Sequence, residues 1–205
     1  NCSGKHAGMM ALARHHGWPV HGYERAGHPV QDRMTESMLE WTGVERRALS
    51  LGVDGCTVVC FALPLTGMAL AYARFGTSND APAARLRGAM VEHPWLVAGT
   101  GRLCTDLMAA APGQVIAKIG AEGVYSAALP ALGLGLTLKI DSGEMRAAAV
   151  ALVGTLSRLL EVLAPDVSIP TMLGRAARFA ELPIRNTRDE VTGSLRAAGA
   201  LRFHD

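Results

Sequence analysis

Three groups of residues in this chain combine types and spacings that can do chemistry. Cys2, Lys5 and His6 stand at i, i+3 and i+4, so on a helix they share one face. A thiol at a helix N-terminus beside an ammonium gains thiolate character, which suits nucleophilic or metal chemistry. A plain polar helix start would read the same way. The second group is Asp54-Gly55-Cys56, at the end of an alternating stretch. Residues two apart in a strand point to one side, and Gly55 permits a tight turn. Two cysteines from separate elements plus a carboxylate can hold zinc, although the spacing matches no zinc-finger pattern. The third is Lys118, flanked by Ala117 and Ile119 and followed by Gly120-Ala121-Glu122-Gly123. A partly desolvated lysine gives up its charge more easily and can act as a base. The bland alternative is a solvated edge-strand lysine before a glycine turn.

Other chemistries find no support. Ser3 and Lys5 are at i and i+2, which point apart on a helix, and no Ser-x-x-Lys occurs anywhere in the chain. Gly-x-Ser-x-Gly, phosphate-loop and His-Glu-x-x-His patterns are absent. Cys60 and Cys104 read as ordinary buried thiols. The cationic residues are scattered, the net charge is only +2 and aromatics make up 5%, which argues against a nucleic-acid partner. No apolar stretch is long and unbroken enough to suggest a membrane span. The four cysteines show no disulfide-framework spacing, so reduced thiols and a cytoplasmic protein are expected.

These residues must be carried by elements that the apolar pattern outlines. Helices are expected at about 4–16, capped by Ser3, from Pro29 through Trp41, at 64–75, 82–93 and 103–110, at 142–163, and near 170–180. Leu49, Leu51 and Val53 alternate with polar or small residues, so 48–56 reads as a strand. Stretches 115–119, 124–129 and 134–140 read as an antiparallel meander with glycine turns, and short strands close the chain at 182–185 and 191–195. An antiparallel sheet flanked by helices makes the class α+β, and no linker divides residues 1–205, which are expected to form a single domain.

Taken in order, the motifs resemble those of the rhizobial-type (type II) L-asparaginases. The resemblance opens on Asn1-Cys2-Ser3-Gly4-Lys5-His6-Ala7-Gly8-Met9. It continues through Gly17-Trp18-Pro19, His28-Pro29-Val30-Gln31, Asp54-Gly55-Cys56, Phe61-Ala62-Leu63-Pro64-Leu65, His93-Pro94 and Gly99-Thr100-Gly101-Arg102. Lys118, Gly120 through Tyr125, and Leu138-Lys139-Ile140-Asp141 complete it, and it weakens beyond about Leu163. The resemblance implies hydrolysis of L-asparagine to L-aspartate and ammonia, on a fold similar to serine β-lactamases and glutaminases. It also implies a homodimer that uses two Ser-Lys pairs beside a zinc site. It assigns Cys2, Lys5 and Cys56 to the metal, His6 and Asp54 to metal or substrate, and Lys118 to the lysine paired with a family serine.

Two departures stand out. The family carries both catalytic serines and one catalytic lysine ahead of the Cys-Ser-Gly-Lys-His block. The chain opens inside that block, so the expectation is an incomplete β-lactamase-like fold, inactive alone. The family also usually continues Asp-Gly-Cys with Gly and Pro, whereas Thr57 and Val58 stand here. The rival readings are a β-lactamase-like acyl-transfer protein and a metal-binding protein without catalysis.

Overall fold

A computed structural model describes residues 2–198. The chain divides into two compact units, Asn1–Ala71 and Tyr72–Asp205.

The first unit holds α1 (Cys2–His15), α2 (Pro29–Thr42) and the hairpin of β1 (Ser50–Val53) and β2 (Val59–Ala62). Its apolar core is small: Met9 and Ala13 from α1, Val30 from α2 and Val58 beside β2. Four features of this unit depart from or add to the sequence expectation. Helix α1 begins at Cys2, so Ser3 lies inside it and is not its cap. Helix α2 starts at Pro29 as expected, but its cap is His28, whose Nδ1 accepts from Val30 N at 3.1 Å while Nε2 meets Pro19 O at 2.8 Å. That pairing needs the tautomer with its proton on Nε2. The expected strand turns at Asp54 and returns as β2, which alternation in β1 alone could not reveal. Cys60, expected to be buried, is exposed, because β2 turns Val59 inward and its neighbour outward.

Helix α3 (Leu65–Thr77) contains the division between the units. The second unit continues with α4 (Ala81–Glu92), α5 (Pro94–Ala98) and α6 (Leu103–Ala110). The meander follows as β3 (Ile116–Ile119), β4 (Val124–Leu129) and β5 (Leu134–Lys139), all antiparallel with β4 central. Helix α7 (Met145–Leu163) packs on β4 and β5, while α6 packs on β3. A short α8 (Ile169–Leu173) and a 3-10 turn (Gly174–Phe179) replace the single helix expected near 170–180, and the hairpin β6 (Glu181–Arg185) and β7 (Val191–Arg196) ends the described chain. Five residues of β4, from Tyr125 to Leu129, are buried, so this central strand is covered on both of its faces. The class is α+β.

The turn joining β3 to β4 depends on Gly123. Its φ is +74°, and a Cβ there would lie 2.9 Å from Ile140 Cβ and 3.1 Å from the Gly143 carbonyl carbon. Gly123→Ala combines a left-handed backbone with a clash, so it should lower stability by about 1–3 kcal/mol. Urea unfolding midpoints of the variant and the parent check this.

Candidate functional site

In the first unit the β1–β2 turn does the assembling. Asp54 N donates to Val58 O at 2.9 Å and Thr57 N donates to Asp54 O at 2.8 Å, leaving Gly55, Cys56 and Thr57 as a three-residue loop. Such loops end in a left-handed residue, commonly Gly. Here that residue is Thr57, with φ +76°. The tight turn folds the Asp54 carboxylate over its own loop. Oδ1 accepts from Gly55 N at 2.8 Å, and Oδ2 accepts from Cys56 Sγ at 3.1 Å.

Helix α1 brings Lys5 to the same oxygen. Lys5 Nζ donates to Asp54 Oδ2 at 2.9 Å. The Lys5 hydrogen bond, followed by that of Cys56, holds the Asp54 carboxyl down at about 2. Partial burial pulls the Lys5 amine down, but its hydrogen bonds to Asp54 and Cys56, with their negative charge, outweigh this and raise it. Lys5, Asp54 and Cys56, drawn from two motifs 49 residues apart, therefore meet at one carboxylate oxygen.

The remaining expected residues fall around this point or away from it. Cys2 is exposed on the first turn of α1, one turn before Lys5. His6 meets Tyr23 OH through Nδ1 at 2.6 Å, with the rings edge-on. Tyr23 was not singled out in the sequence, because it sits in the turn-rich stretch between α1 and α2, where no periodicity marks it. Lys118 belongs to the other unit, within β3, half-buried, with Nζ donating to Ile119 O at 2.7 Å. Cys104 is buried against Tyr125, and burial pushes both groups up.

Metal chemistry can be weighed on the donors present. Among the described residues no three His, Cys, Asp or Glu side chains converge as a metal cluster. A site at the turn therefore requires the Lys5 amine in addition to the sulfurs. Cys56 of the hairpin loop and Lys5 of α1 converge on Asp54, and Cys2 lies one turn before Lys5 on α1, so the donors at hand are two sulfurs and an amine nitrogen. A groove of about 580 Å³ opens beside Lys5, lined by Met9, Leu12, Met34, Met38 and Phe61 among others. Its apolar lining does not suit a small polar amide. The polar chemistry of this unit is concentrated at the Asp54 turn.

Two outcomes follow from this geometry. A left-handed threonine is strained, so Thr57→Gly should raise stability by about 1 kcal/mol once the extra freedom of Gly in the unfolded chain is offset. Denaturant midpoints measure it. Asp54 is lowered from 3.8 to about 2, so its contribution is fully present above pH 3.8 and is lost as pH falls through about 2. Asp54→Asn should flatten the dependence of the urea midpoint on pH in that window, and an unchanged slope would contradict the pairing. The carboxylate is partly exposed, so solvent screening keeps the difference small.

Comparison with known proteins places these motifs in one family. The model of the family described as L-asparaginase II matches residues 1–197, which takes in Cys2, Lys5, the Asp54 turn and Lys118. A comparison with curated proteins returns no match. No helix among the described residues is long and apolar enough to cross a membrane. With nearly the whole chain matched and its motif residues arranged as described, the chain belongs to the L-asparaginase II family.

Proposed function

We propose that the chain works in the hydrolysis of L-asparagine to L-aspartate and ammonia. The observation that carries this reading is the convergence of Lys5, Asp54 and Cys56 on one turn, within the span that the family covers. The nucleophile in this reading is one of the two serines that the family carries ahead of the Cys2-to-His6 block. Ser3 is unsuited to that part, since it sits two residues from Lys5 on the same helix.

Lys118 takes the proton from the attacking hydroxyl. Its place on a strand within the sheet fixes where the amine can reach, as a general base requires. In this reading Asp54 and His6 bind the substrate. Asp54 offers a carboxylate to the substrate ammonium, and His6, oriented by Tyr23, offers a ring nitrogen. Cys2, Lys5 and Cys56 would hold zinc, with Asp54 as their neighbour. Zinc held there would supply Lewis-acid chemistry. Lys5 must give up its proton to become a ligand, and Asp54 opposes that loss, so metal affinity should rise with pH. The free thiols fit a reducing, cytoplasmic setting, and the family resemblance suggests a homodimer.

The test joins the chain to the family segment that precedes the Cys2-to-His6 block and measures ammonia release from L-asparagine. Turnover is expected, and Lys118→Ala should reduce kcat by about 100-fold or more, the range for loss of a general base. Cys56→Ala should lower the zinc bound per chain, read by metal analysis after dialysis. Turnover that survives Lys118→Ala would remove the base assignment. Zinc bound with no turnover would favour a metal-binding protein without catalysis.

A further inference from the structure

The three strands of the meander carry few polar side chains, and three of them lie in one row. Lys118 of β3 stands directly opposite Ser126 of β4, and Ser126 stands directly opposite Thr137 of β5. Directly opposed residues project from the same face, with Cβ atoms about 4.5–5.5 Å apart. The next row on that face is Ile116, Ala128 and Gly135, which is wholly apolar. Ser126 is only 3% exposed, and its Oγ bonds Thr137 Oγ1 at 2.9 Å.

A buried hydroxyl in an apolar sheet costs desolvation that alanine or valine would avoid. A Ser–Thr bond offsets part of that cost but does not explain why the pair sits beside the lysine. Lysine is scarce in this chain. Lys5, Lys118 and Lys139 are its three lysines, against 17 arginines. Lys139 has a visible backbone task, donating to Glu122 O and Ile140 O at the turn. Lys118 bonds the carbonyl of its own neighbour, Ile119, and its cross-strand row is made of hydroxyl oxygens that accept hydrogen bonds from an ammonium.

We infer that Ser126 and Thr137 are positioning residues for Lys118, a rail of hydroxyls that holds its amine on the working face of the sheet. This rests on the reading of Lys118 as the base. Thr137 orients the Ser126 hydroxyl, and Ser126 presents an oxygen toward the lysine row. Without the rail the amine samples more rotamers, so it becomes more open to acylation and less well aimed.

The test labels amines in the full chain with acetic anhydride at neutral pH and quantifies Lys118 and Lys139 by mass spectrometry, Lys139 being the internal reference. Ser126→Ala should raise the Lys118-to-Lys139 labelling ratio several-fold, and Ser126→Thr, which keeps the hydroxyl, should leave it near the parent value. Thr137→Val, at a half-buried position, should raise it too, and it carries the test if Ser126→Ala does not fold. An unchanged ratio in folded Thr137→Val and Ser126→Ala overturns the inference. In the catalytically complete protein, Ser126→Ala should lower kcat several-fold with KM unchanged. Retained turnover in Lys118→Ala would instead overturn the base assignment, and the labelling ratio would still report on the rail.

Discussion

The first unit depends on one carboxylate. Asp54 accepts from Lys5, from Cys56 and from the amide of Gly55, so it joins the N-terminal helix to the hairpin turn. Among the described residues the buried apolar cluster there has four members, too few to fix the helix against the turn by packing alone. A partly exposed ion pair contributes little stability. Its contribution is geometric. With one oxygen shared between an ammonium and a thiol, and the other held by a backbone amide, the carboxylate has little freedom to rotate. The two chemical motifs are in register because it does not.

The second unit is organised on the opposite principle. Its core draws on α6, the meander and α7, and it includes Leu107, Met108, Ile116, Leu152, Val153 and Leu156, all essentially inaccessible to solvent. The carboxylate of Asp106, itself buried, is matched by Arg178 at 2.6 Å. A strand embedded in such packing is a rigid carrier, and rigid carriers aim side chains better than loops do. Lys118 is therefore aimed by a sheet, whereas Lys5 is aimed by polar contacts at one turn.

The legibility of the sequence follows this difference. Helices α1 and α2, and the elements from α6 to α7, announced themselves through prolines, glycine turns and periodic apolar residues, and α6 ran from Leu103 to Ala110 as read. The pairing of Cys56 with Asp54 was legible in outline, from their spacing of two. Its cause was not, since a hairpin turn and not a continuing strand brings them together. Strand β2 was missed because Thr57-Val58-Val59-Cys60-Phe61 has no polar alternation, and Cys60 was misplaced for the same reason. Nothing local in the sequence could give the Lys5–Asp54 contact, which spans 49 residues; the resemblance alone placed both in one site. Tyr23 and the capping ring of His28 were invisible because side chains in turns follow no period.

In the proposed reading Lys5 and Lys118 are one residue type set to two tasks by its surroundings. Lys5 faces a carboxylate, which keeps its proton bound and its charge in place. A metal that took its nitrogen would have to displace that proton and loosen Asp54, so the carboxylate acts as a threshold on metal entry that falls as pH rises. Lys118 meets the neutral oxygen of Ile119 and lies in a row of neutral hydroxyls. Neutral acceptors hold an ammonium more weakly than a carboxylate does. Arginine, which keeps its proton throughout the accessible pH range, could do neither task. A chain that, Lys139 apart, places the rest of its positive charge on arginine therefore has a chemical reason to keep lysine at these two positions.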